Sequence, residues 1–132
     1  MAVRRLVEHP IHLGRHGGAM SEPPFDQAMD WYAGYGARHA DDGAEGRLVS
    51  EHHFRENWAG WERHPAGAEV VYCLAGTLIL HRERDDGGHE TVVLRPGDYA
   101  VNPPGVWHTA DVEGEARALF ITAGAGTEHR PR

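Results

Sequence analysis

The sequence predicts an all-β domain, an antiparallel barrel or sandwich preceded by a short helix and an arm. Three observations carry that expectation. From residue 47 to 123 the chain runs in short segments that alternate apolar with polar or are rich in Val. Turn signals such as Asp85-Asp86-Gly87-Gly88 and Pro96-Gly97-Asp98 separate them at near-regular spacing. With 132 residues and 40% hydrophobic content, there is material for one core and one domain.

The elements follow in order. Residues 1–46 read as an arm and a helix: the first 24 are broken by Gly14, Gly17, Gly18, Pro23 and Pro24, and helical spacing begins after Asp26, a suitable N-cap. Ala28, Met29, Tyr32, Ala33 and Gly36 share one stripe of that helix, which runs to about His39. Residues 47–123 read as the barrel. Its first strand, 47–55, puts Leu48, Ser50, His52 and Phe54 on one face and Val49, Glu51, His53 and Arg55 on the other. Further strands are expected at Trp58–His64, Glu69–Leu74, Thr77–Arg84, Thr91–Leu94, Tyr99–Asn102, Trp107–Val112 and Ala116–Ala123, with a turn at Ala75-Gly76. Residues 124–132 read as a loose tail, with closing of the barrel mouth as the other role.

Composition narrows the chemistry. The formal net charge is −7, and every one of the 13 basic residues is Arg. Schiff-base and phosphate-loop lysines are therefore excluded, and neither nucleic acid nor an anionic membrane is an expected partner. Cys73 is the single cysteine, so no internal disulfide forms. The N-terminus lacks the pattern of a signal peptide, which makes the cytoplasm the expected location. Histidine, with 11 copies, is over-supplied.

Two segments hold residues that suit a metal. Glu62-x-His64 places two side chains on one strand face, and Glu69 follows a Pro65–Ala68 turn that can bring it back to meet them. Further on, Gly97 and the Pro103-x-Gly105 turn lead into His108 at a strand start. Two imidazoles and one or two carboxylates from separate strands can wrap a divalent cation and leave positions open.

In these two segments the sequence resembles the cupin superfamily. Glu62, His64, Glu69 and Gly76 fall on that family's first motif, and Gly97, Pro103, Gly105 and His108 on its second. The resemblance runs from Glu62 to about Val112 and implies a jelly-roll β-barrel, a metal ion inside it and a homodimer. Three positions depart from the pattern: Glu56 stands for the opening glycine, Glu62 for the first histidine and Val112 for the closing asparagine. The Glu62 change touches chemistry. Two carboxylates bring a divalent site near neutrality, weaken it as a Lewis acid, and favour Fe(II) or Mn(II), with Zn or Ni as other occupants. With Glu62 off the metal, His64, Glu69 and His108 form a two-histidine, one-carboxylate set suited to O₂ activation.

Each residue has a plainer reading. The four can be a polar cluster without metal, in which one of two facing carboxylates keeps its proton and serves as general acid or base. Glu62 can be a surface carboxylate if the strand register differs by one. His52 sits on the apolar strand face, where a core histidine is the first reading and proton transfer the second. Trp58, Trp61 and Trp107 read as packing, with Trp107 outside the cavity, and Cys73 as a small buried hydrophobe. The scattered His9, His12, His16, His39 and His129 are expected to be chemically silent. Arg63 and Arg82 are the cations that an anionic ligand could meet.

The expected function is that of a small metal-dependent enzyme of oxygenase type acting on a small organic molecule, with Glu62 and His52 as proton-handling candidates. An isomerase, cyclase or lyase that polarises a carbonyl, and a non-catalytic small-molecule binder, are the alternatives.

Overall fold

The computed structural model describes residues 2–132. Nine strands form one hydrogen-bonded antiparallel network, an all-β jelly-roll barrel: β1 (Ile11–Leu13), β2 (Ala19–Ser21), β3 (Arg47–Phe54), β4 (Gly60–Arg63), β5 (Glu69–Glu83), β6 (His89–Leu94), β7 (Tyr99–Asn102), β8 (His108–Thr122) and β9 (Glu128–Pro131). The long strands β5 and β8 pair with each other along most of their length; β3 and β4 add to β8, while β6 and β7 add to β5. The core lies where their inner faces meet, with Val71, Cys73, Leu78, Leu80, Ala110 and Ala118 fully buried. Each large apolar side chain buried there is worth about 1.5–3 kcal/mol.

Two expected turns are continuous strand instead. Ala75-Gly76 lies inside β5 as part of paired register shifts between Cys73 and Leu78. Gly76 has φ 72°, and a Cβ there would collide with the Glu115 carbonyl. The break expected after Val112 is likewise a bend within β8, at Gly114 with φ 72°. Glycines placed to bulge a strand look, in sequence, like glycines placed to end one.

Both termini are more ordered than their composition suggests. In the arm, β1 and β2 form a hairpin whose β1 pairs with β3. Such three-residue strands are too short to show a period. In the tail, β9 pairs with β4 from Gly60↔Pro131 to Arg63↔Glu128. Arg130 stacks over Trp61 and Trp107 and ion-pairs with Glu83. Burying those aromatic faces offsets the cost of ordering a polar segment.

The helix α1 spans Met29–Arg38, later than its expected start. Asp26 accepts a hydrogen bond from the Ala28 N–H at 2.9 Å, so it turns the chain ahead of the helix rather than capping it. Trp31 and Tyr35 stack 5.7 Å apart, and Trp31 packs edge-on against Phe25 of the arm. The stripe of Met29, Tyr32, Ala33 and Gly36 faces the barrel and walls its cavity. Among the described residues no helix is long and apolar enough to cross a membrane.

Candidate metal centre

Three strands deliver four side chains to one point. Glu62 lies in β4 with His64 just after it, Glu69 opens β5 and His108 opens β8. Glu62 and His108 are register partners, so their side chains share a face. The Gly105 N–H donates to the His64 carbonyl at 3.1 Å, tying the turn before His108 to the segment after β4. That turn needs Gly105, whose φ is 73°.

One ligand atom from each of the four lies within 4.8 Å of all the others, so the group could hold a metal ion. The His64 Nε2 is 3.0 Å from Glu69 Oε2 and 3.4 Å from Glu62 Oε1. The His108 Nε2 is 3.2 Å from Glu69 Oε1 and 3.4 Å from Glu62 Oε1. Despite these short approaches, neither Nε2 has a hydrogen-bond partner in proper alignment, and both are buried. A buried polar atom left so costs about 1–3 kcal/mol and calls for a reason.

The other ring nitrogens supply it. His108 Nδ1 faces the Val106 carbonyl at 3.2 Å, an acceptor only, so it carries the proton. His64 Nδ1 meets Thr127 Oγ1 at 2.8 Å, and the Thr127 hydroxyl donates its one hydrogen to the Gly124 carbonyl at 2.8 Å. Thr127 must therefore accept from His64. In the neutral rings both Nε2 atoms are bare lone pairs turned toward the same carboxylates, an arrangement that fits a metal ion.

Glu69 is clamped: its Oε2 accepts from the Thr122 hydroxyl at 2.7 Å and its Oε1 from Asn102 Nδ2 at 3.3 Å. Arg82 Nε in turn donates to Asn102 Oδ1 at 2.9 Å. Glu62 accepts no such hydrogen bond among the described residues and is 25% exposed, where Glu69 is 2%. Its further neighbour is His129, expected to be silent, whose Nε2 lies 3.7 Å from Oε2 and which lines the cavity. Sequence reasoning missed Asn102, Thr122 and Thr127, because nothing local marks a residue whose role is to hold a distant ligand.

Electrostatics point the same way. Burial opposes charge on His64 and His108, but contacts with Glu62 and Glu69 outweigh it and push them up to about 9 and about 10. Burial likewise opposes charge on the carboxylates. Their contacts with His108 and His64 nonetheless bring Glu69 down to about 2 and hold Glu62 well below the ordinary carboxylate range. The protein thus favours two positive charges among these oxygens, which two protons or one dication can supply.

The cluster opens on a cavity of about 1010 Å³ between the barrel and α1. The face of β3 carrying Leu48, Ser50, His52 and Phe54 lines it. His52 stands outside the ligand group: its ring is parallel to Phe54 at 5.6 Å and edge-on to Phe25 and Phe120, and burial pushes its pKa down. Tyr32 of α1 is pushed up to about 12 by burial and then by the charges of Glu62 and Glu69, which places its hydroxyl in their field. Trp58 packs against Phe54 and Phe120 and also lines the cavity. Arg63 ion-pairs with Glu128 at 3.0 Å and stacks on Trp107, so neither it nor Arg82 is a cavity residue.

A second histidine–carboxylate group, His12, His39 and Asp42, was not expected from sequence. The ring of His12 is 2.6 Å from the Tyr35 hydroxyl through Nδ1 and 2.6 Å from Asp42 Oδ2 through Nε2. His39 stacks on it at 3.6 Å and bonds buried Glu22 at 2.9 Å.

Comparison with known proteins agrees with this architecture. Residues 54–124, more than half of the chain, match the family model described as Cupin domain. Among solved structures, an oxalate oxidase superposes with a TM-score of 0.58 at 19% identity, over 70% of this chain and 50% of that one. A cupin protein from Bacteroides fragilis gives 0.50 at 19% identity over 61% and 67% of the two chains. A cupin-2 domain protein from Shewanella frigidimarina gives 0.49 at 23% identity over 65% and 71%. At 19% identity the likeness to the oxalate oxidase and the Bacteroides fragilis protein is one of fold, and the chain spans half the length of the oxalate oxidase. No curated protein matches the sequence.

Proposed function

The chain belongs to the cupin domain family, and on that premise we propose that it is a metal-dependent enzyme of oxygenase type acting on a small organic molecule inside the barrel. The observation that carries this reading is the pair of buried, partnerless Nε2 atoms of His64 and His108, both aimed at Glu62 and Glu69. His64, Glu69 and His108 are the ligands in this proposal, with Glu62 as a fourth ligand or as proton carrier. An ion held there, Fe(II) or Mn(II) by the mixed imidazole and carboxylate donors, would supply open positions for O₂ and for a substrate oxygen.

The chain's own residues do the rest. Thr127 and the Val106 carbonyl hold the two imidazoles in the ligating tautomer. Asn102 and Thr122 fix Glu69 so that it cannot turn away. Glu62, reachable from the cavity, completes the ligand set or, where His64 and His108 are neutral and no longer hold its carboxyl down, takes a proton at its carboxylate oxygen. His52 stays neutral because of its burial and serves as wall and ring-nitrogen partner for a substrate.

The site's near-neutral charge favours a second reading, a non-redox isomerase, cyclase or lyase working at a carbonyl. Elemental analysis of freshly purified protein separates these outcomes. About one iron per chain with substrate-dependent O₂ uptake supports the oxygenase, and turnover without O₂ on manganese or zinc supports the second reading. No bound metal, and none acquired on reconstitution, overturns both. The homodimer proposed from the family resemblance has the exposed edge strand β2 to pair through, and a 14.6 kDa particle in light scattering would overturn it.

A further inference from the structure

All 13 cations of this chain are Arg, and none of them lines the large cavity. Each of the nearest is committed elsewhere. Arg63 is held by Glu128 and Trp107, Arg82 by Asn102, and Arg38 by Glu22 at 3.0 Å. The ionisable acids that do face the cavity are Glu56, Glu62 and Glu69. With two protons on His64 and His108 the charges of Glu62 and Glu69 are balanced, so a ligand carboxylate entering here meets no surplus positive charge. Even with a dication bound, the two glutamates already balance it, and Glu56 is left over.

What the cavity offers is aromatic surface. Phe54 and Phe120 meet at 87° with centroids 6.0 Å apart, and Trp58 lies tilted to both at 5.5 and 6.1 Å. Tyr32 enters from the helix on the facing side with its hydroxyl kept protonated at neutral pH. Rings set at such angles receive another ring edge-on or face-on, each contact worth about 0.5–1.5 kcal/mol beyond burial. The cavity, about 1010 Å³, is large enough for a fused bicyclic molecule.

We infer that the barrel selects uncharged aromatic molecules bearing a hydroxyl or keto oxygen and rejects carboxylates of the same shape. The orientation of that oxygen toward the four-residue cluster rests on the proposed metal function; the charge selectivity does not, since the wall residues alone produce it.

Isothermal titration calorimetry with a matched pair, 2-naphthol and 2-naphthoate at pH 7, tests this on metal-free and zinc-loaded protein. The expected result is naphthol binding at least about tenfold more tightly than naphthoate to the metal-free form. A Met29→Arg variant, at a rim position 71% exposed and so harmless to folding, should narrow that ratio by admitting naphthoate. Tyr32→Arg should do so more strongly. Naphthoate binding metal-free protein as well as naphthol, or naphthol failing to bind, overturns the inference. Zinc failing to bind while the naphthol preference persists removes the metal reading alone, and zinc binding without that preference removes this inference alone.

Discussion

Two histidine–carboxylate clusters border the same cavity and spend their nitrogens differently. In the His12 group both ring nitrogens of the central histidine are saturated, at 2.6 Å each, by the Tyr35 hydroxyl and Asp42. In the His64–His108 group each ring has one nitrogen committed and one bare. The residue types are alike and both sets lie close enough to surround an ion. The lesson is that partner accounting, more than composition, separates a latch from a metal centre. The first group pins α1 and the segment after it to β1; the second keeps unspent lone pairs.

The comparison breaks most sharply at His108. Replacing it with Ala should drop bound metal from about one ion per chain to below about a tenth, because the site loses one of its only two imidazole ligands. His12→Ala should leave metal content intact, and metal loss in the His12 variant alone would reverse the two assignments. Next in size is Thr127→Val, which frees the His64 ring and should weaken metal affinity about 10–100-fold, with Thr127→Ser restoring it. Competition with a chelator reads this directly; an unaltered affinity would mean that Thr127 does not orient the ligand.

Smaller effects sharpen the latch. His12→Ala strands the half-buried Tyr35 hydroxyl and should cost about 1–3 kcal/mol in urea unfolding. An unchanged midpoint would deny the latch any structural role. The smallest effect is on pH dependence. The hydrogen bond from His12 holds the Asp42 carboxyl below its ordinary value. Its contribution is therefore complete above the unfolded Asp pKa of about 4 and fades as pH falls through the lower folded value. Wild type should lose more thermal stability on acidification through that window than Asp42→Asn, whose midpoint carries no such term; parallel losses would contradict the pairing.

Much of the fold was legible because strand periodicity is local. Leu48, Ser50, His52 and Phe54 alternate, and they do share the cavity face. Glu62 and His64 are two apart on extended chain and do converge. Gly76 misled for an equally local reason: a positive φ serves a bulge and a turn alike. The tail misled because its order comes from Trp61 and Trp107, far away in sequence, which Arg130 covers.

By itself the sequence determined the strand pattern, the four residue types at the centre and an all-Arg supply of cations, since these follow from spacing of two and from composition. Tertiary structure alone decided which nitrogen of each histidine is bare, that Glu69 is clamped while Glu62 is loose, and that every nearby Arg is occupied elsewhere. The physical reason is that the deciding partners arrive from a distance, as Thr127 reaches His64 across 63 positions, and a hydrogen bond of such range leaves no trace in local pattern.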